Sequence, residues 1–187
     1  IYSRADLQEL ADLLEAKSAE IGRRIWILSD EPYRRIRFDG LGFTTPAEVY
    51  PHTLIDYSFG KILLAPGLRL GYLAISPTLP QSEREELQTL RFAVQMADGW
   101  NVPDATLIYA IPDLDKVSID IASITRRRER MLGALSQWGY EMTRPEGTFY
   151  LWGRAPGGDG DEFCRRLQES GVYVMPGSIF DRPKICR

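Results

Sequence analysis

The sequence predicts an α/β fold: part of a mainly parallel sheet flanked by helices, followed by a smaller α+β segment. Three observations carry this. Residues 25–28 and 70–75 are short and almost continuously apolar, the pattern of strands covered on both faces. The segments around them place apolar residues at helical spacing. The polar residues with chemical capability follow directly on the apolar runs, and open α/β sheets present ligands at the carboxyl ends of their strands. A chain of 187 residues suits one domain or one and a half, with a real core.

In chain order, Ser3 reads as an N-cap with Asp6 three residues on, a capping-box variant. Leu7, Leu10 and Leu14 share a helical face with Ala11 beside them, and Gly22 ends the helix. The strand at 25–28 then delivers Ser29-Asp30-Glu31-Pro32-Tyr33. Arg34, Arg35 and Arg37 alternate with Ile36 and Phe38, as on a solvated strand edge, and Asp39-Gly40 marks a turn. Residues 42–51 read as irregular. A second strand is expected at 53–59, stopping at Gly60, with Lys61 next. A Pro66-Gly67 turn leads through Arg69 into the strand at 70–75, which Ser76-Pro77 breaks.

A helix is expected at 82–96 with Leu87, Leu90 and Val94 inward, then a break at Asn101-Val102-Pro103-Asp104 and a short helix at 105–111 ending at Pro112. The longest helical pattern runs over 115–138, with Ile121, Ile124, Met131 and Leu135 as its stripe. Its arginine-rich run at 126–130 lacks interleaved aromatic residues for base stacking and reads as a solvated face. Beyond Gly139, strands are expected near 140–142, 148–152 and 172–175, with a helix near 161–169. Two domains follow: residues 1–114, and residues 115–187 made of a long connecting helix and a small C-terminal part.

Composition removes several function classes. The net charge of −3 argues against a general nucleic-acid binder. No apolar run is long enough to span a membrane. His52 is the only histidine, so Ser-His-Asp, Cys-His and His-based metal sites are excluded. Cys164 and Cys186 form no ligand cluster and read as reduced thiols in a cytoplasmic protein.

The remaining candidates sit at strand ends. Lys61, after a glycine on a rigid scaffold, holds an amine that can form a Schiff base with an aldehyde; the ordinary alternative is a surface lysine. Arg69 offers a planar fork of donors suited to a phosphate, or a salt bridge. Ser58 could donate a hydroxyl to the same anion, or cap a turn. Asp30 could be a turn former.

The pattern Ser58-x-x-Lys61, with Ala65-Pro66-Gly67-x-Arg69-x-Gly71-Tyr72 behind it and Asp30-x-x-Tyr33 ahead, resembles the fold-type I pyridoxal-phosphate enzymes, above all the class I/II aminotransferases. Pro145-Glu146-Gly147-Thr148-Phe149-Tyr150-Leu151 and residues 171–178 resemble that family's small domain. The resemblance implies pyridoxal 5′-phosphate on a Lys61 Schiff base. Asp30 would pair with the ring nitrogen, Tyr33 would hydrogen-bond the ring oxygen, and Ser58 and Arg69 would hold the phosphate. It implies amino transfer from an α-amino acid to a 2-oxo acid in a homodimer. Another pyridoxal-phosphate reaction (lyase, cyclase or oxidase) and a non-catalytic binding or regulatory domain are the alternatives. The resemblance covers the later half of the family's fold, so residues 1–187 alone are expected not to fold or bind cofactor well. The family's substrate-carboxylate arginine corresponds to Lys184 or to Arg187, and the two remain equivalent here.

Overall fold

In the computed structural model, residues 1–99 and 103–180 are described. The chain divides into two compact units. One comprises Ile1–Ile121 together with Glu146–Thr148; the other comprises Ala122–Pro145 and the chain from Phe149 onward.

The first unit opens with α1 (Arg4–Ile21). Ser3 Oγ accepts from the Asp6 N–H, the Asp6 carboxylate accepts from the Ser3 N–H at 2.9 Å, and Gly22 closes the helix in the left-handed region. Leu7 and Ala11 carry the buried face, whereas Leu10 stays exposed. Strand β1 (Ile27–Asp30) pairs in parallel with β2 (Thr53–Ser58), and β3 (Gly71–Ile75) pairs with β2 antiparallel. The sheet order is β1-β2-β3. A parallel return needs a crossover, usually a full helix. Between β2 and β3 lie only a single helical turn, α2 (Phe59–Ile62), and the 3₁₀ turn Pro66–Leu68, so β3 runs back antiparallel.

The core of this unit is Ile36, Phe38, Tyr50, Tyr57, Phe59 and Ile62, with Leu70 and Leu79 beside them. Two of these, Ile36 and Phe38, are the apolar partners of the arginine alternation, tied by a single antiparallel bridge from Arg37 to Gly147. The arginines themselves are not simply solvated. Arg35 donates to the Val117 carbonyl at 3.1 Å and faces Asp115, and Arg34 enters the site described below. Among the described residues β1 is not covered on both faces: Leu28 is 66% exposed. The same holds for α3 (Gln81–Ala97), whose Leu90 and Val94 stand exposed rather than inward.

Helix α4 (Ala105–Leu114) begins at the Asp104 cap and continues through Pro112. Proline in the last turn forfeits only its own hydrogen bond, so the turn runs on. Two further turn bonds, Asp115 N–H to Ile111 O and Val117 N–H to Leu114 O, belong to this ending, and α5 accordingly starts at Ile121, later than its pattern suggests (Ile121–Gln137). Of the 101–104 break, Asn101 and Val102 lie outside the described residues.

In the second unit, β4 (Met142–Thr143) pairs antiparallel with β5 (Trp152–Gly153), and α6 (Gly160–Glu169) is capped by Asp159. Residues 172–176 form no strand; Gly171 turns at positive φ and the segment leads into the 3₁₀ turn Gly177–Ile179. Arg128 overturns the solvated reading of its run. It is 4% exposed and donates to the Pro145 carbonyl at 2.9 Å and to Glu129 at 2.8 Å. Among the described residues no helix is long and apolar enough to cross a membrane, and no cluster of three metal-ligating side chains occurs.

Candidate functional site

The site forms where β1 and β2 end side by side, Asp30 opposite Asp56 in the parallel register. Alternation along β1 turns Asp30 outward, and its exposed carboxylate carries no hydrogen bond among the described residues. One residue later the ladder adds a last bond, Glu31 N–H to Asp56 O at 2.8 Å, and the chain turns through Pro32 and Tyr33.

On the neighbouring strand, Ser58 ends β2 and caps α2, its Oγ accepting from the Gly60 N–H at 3.3 Å. Lys61 therefore stands inside one helical turn rather than on a bare loop. Phe59 and Ile62 on either side of it are fully buried and hold that turn down. The Lys61 amine lies 5.7 Å from the centroid of the Tyr33 ring, within cation–π range. The fold thus brings together the lysine and the tyrosine that the sequence placed in separate motifs.

Arg69 is exposed and donates to the Pro66 carbonyl at 3.0 Å. Its backbone is left-handed, with φ 46° and ψ 41°, which costs a non-glycine residue about 1–2 kcal/mol. The Pro66–Leu68 turn before it and buried Leu70 after it hold it there; the Leu70 carbonyl accepts from Phe59 N–H at 3.0 Å. Strain maintained this way concentrates at functional positions.

Beneath these groups lies an aromatic cluster. Tyr57 and Tyr72, paired across β2 and β3, stack with centroids 5.1 Å apart, and Phe59 meets Tyr57 edge-on at 5.3 Å. Burial pushes the Tyr72 phenol above its usual range, with Arg34 opposing, so it remains neutral and accepts from Arg34 at 2.8 Å. Sequence reasoning missed Arg34 and also Glu31, which is 3% exposed. The signal was available in the period-2 alternation: if Asp30 points outward, Glu31 points in.

Chemically, the ledge offers an amine, an unpartnered carboxylate, a phenol, a hydroxyl and a guanidinium. Of these, the structure brings the Lys61 amine and the Tyr33 ring to within 5.7 Å of each other. Lys184, Arg187 and Cys186 lie outside the described residues. In the second unit, a cavity of about 740 Å³ bordered by Tyr140, Phe163 and Arg166 contains none of the five predicted residues.

Comparison with known proteins agrees with the motif. The family model for aminotransferase class I and II matches residues 1–187. An aspartate aminotransferase of Thermococcus kodakarensis is 27% identical over 190 residues, which cover 100% of this chain and 48% of that protein. An LL-diaminopimelate aminotransferase of Nitratidesulfovibrio vulgaris is 32% identical over 130 residues, 68% of this chain and 32% of that protein. Among solved structures, an amino transferase from Eubacterium rectale superposes with a TM-score of 0.86 at 32% identity, covering 94% of this chain and 44% of that one. The chain spans about half the length of the curated relatives it matches. Its α/β architecture is the fold-type I arrangement of these enzymes. On a match that runs from the first residue to the last, the chain belongs to the class I and II aminotransferases, a pyridoxal-phosphate-dependent family.

Proposed function

We propose that the protein transfers an amino group from an α-amino acid to a 2-oxo acid, with pyridoxal 5′-phosphate attached through Lys61. The observation that carries this reading is the Lys61 amine poised 5.7 Å from the Tyr33 ring at the shared end of β1 and β2.

The residues present fit the cofactor. Asp30 has a carboxylate with no partner among the described residues, as a group facing a protonated ring nitrogen requires. Ser58 uses its oxygen as an acceptor from Gly60 and keeps its O–H free to donate. Arg69 spends one N–H on Pro66 and keeps the rest of its fork for an anion. When bound, the cofactor supplies an aldehyde and a ring that takes up electrons from the substrate carbon. Lys61 would bind it through Nζ and later carry a proton on the same atom. Asp30 would hold the proton on the ring nitrogen, and the Tyr33 O–H would donate to the ring oxygen. Ser58 and Arg69 would hold the phosphate.

In this reading residues 1–114 belong to the cofactor-binding domain, and residues 115–187 are the connecting helix and small domain. The working form is a homodimer in the cytoplasm. Among the described residues Cys164 forms no disulfide, which suits a reducing compartment.

The test is an assay of full-length protein with cofactor, amino acids and 2-oxo acids. Amino transfer should require the 2-oxo acid and should be almost abolished by Lys61→Ala. Release of ammonia with no need for a 2-oxo acid would replace transfer by another pyridoxal-phosphate reaction. Undiminished transfer by Lys61→Ala would remove Lys61 from its role.

A further inference from the structure

We infer that Arg34, paired with the buried Glu31, is a positioning residue that holds the Asp30–Tyr33 turn against the Lys61 turn. The inference rests on the reading of the site given above, and it concerns two residues outside the five assigned there.

Glu31 is a buried carboxylate beside the exposed Asp30. Its side chain is 2% exposed, and burying a carboxylate is costly unless it is hydrogen-bonded and paired. Oε1 accepts from Ser29 Oγ at 2.9 Å and from Thr45 Oγ1 at 2.5 Å. Among the described residues Oε2 accepts no hydrogen bond. The cation facing it is Arg34, whose Nη1 lies 3.6 Å away. Arg34 therefore supplies the compensating charge for a carboxylate one residue from Asp30.

The same guanidinium reaches the other strands. Its Cζ sits 4.6 Å over the Tyr57 ring, and Nη2 donates to the Tyr72 hydroxyl at 2.8 Å. Tyr57 and Tyr72 both pack on Phe59, two residues before Lys61. On its own backbone, Arg34 donates to the Glu31 carbonyl at 3.1 Å, closing the turn that carries Tyr33. One side chain thus touches the carboxylate under the Asp30 turn and the aromatic cluster under the Lys61 turn. The fork geometry matters, because lysine cannot stack flat on Tyr57 while bonding Tyr72 and facing Glu31.

The test has two arms on full-length protein. In apoprotein, hydrogen exchange of the amides of residues 31–36 is compared between wild type and Arg34→Met, with Glu31→Gln/Arg34→Met as the variant that leaves no unpaired charge should the single one unfold. Exchange there should rise about tenfold or more, with amides of α1 unchanged. In the second arm, pyridoxal 5′-phosphate affinity is measured by absorbance titration in wild-type and Tyr33→Phe backgrounds. Loss of Arg34 should weaken binding about tenfold in wild type and under about twofold with Tyr33→Phe, because both changes remove one positioned phenol. Arg34→Lys should fall between. Unchanged exchange at 31–36, or equal losses in both backgrounds, would overturn the role of Arg34. Wild-type protein that binds no pyridoxal 5′-phosphate would instead overturn the reading of the site, and the exchange arm would still report on the turn.

Discussion

Gly71 offers a perturbation whose size can be worked out from the structure. It pairs with Ser58 in the β2–β3 register, next to the Arg69 turn and before Tyr72. A Cβ on Gly71 would lie 2.5 Å from the Tyr57 carbonyl oxygen. A comfortable carbon–oxygen contact is about 3.3 Å, so the two backbones must part by roughly 0.8 Å. Overpacking of that kind costs about 1–3 kcal/mol, and a lost ladder hydrogen bond adds about 1 kcal/mol. Gly71→Ala should therefore destabilise the apoprotein by about 2–4 kcal/mol. It should also weaken cofactor binding, since Ser58 and Arg69 flank the displaced pair. Gly67 is the control: a Cβ there meets nothing within 4 Å and its φ is not positive, so Gly67→Ala should stay within about 1 kcal/mol of wild type. Urea unfolding of both variants of full-length apoprotein measures this. A Gly71→Ala variant as stable as wild type, with unchanged cofactor affinity, would refute the close approach of the strands and the argument built on it.

Two other expectations concern single side chains. Asp30→Asn keeps the shape but removes the charge that would hold the ring proton, so turnover should fall by roughly 100-fold or more while cofactor affinity falls less; near wild-type turnover would assign that work to another group. His52 is held below its ordinary 6.5 chiefly by burial and then by Arg24, with Glu83 and Glu15 opposing, while Trp26 and Tyr50 meet its ring edge-on. Because the folded protein then binds its proton less readily than the unfolded chain, stability rises with pH up to the unfolded value and is lost on acidification below it. The His52 resonance should titrate below 6.5, and His52→Gln should flatten the stability slope in that window; a midpoint above 6.5 would contradict the burial argument.

What the sequence made legible was local. The Ser3–Asp6 box, the Gly22 stop and the Asp39-Gly40 turn are each set by a few adjacent residues, and they appear where the pattern puts them. The strand at 53–59 was also readable to within one residue of its observed end at Ser58, although the single helical turn around Lys61 was not. What failed depended on partners distant in the chain. The inward turn of Glu31 follows from the strand alternation, but its donor Thr45, 14 residues on, is announced by no spacing. Arg128 looked like one charge among several until the Pro145 carbonyl came within reach. Residues 172–175 have strand composition, but strand composition fits a pleated surface only where a neighbouring strand is present.

The central claim is that Lys61 carries the cofactor. Borohydride reduction of the full-length holoprotein, followed by peptide mapping, tests it most directly. The visible absorption band should be lost, and a single pyridoxyl group should appear on the peptide containing Lys61. A pyridoxyl group on any other lysine, or on none, would contradict it.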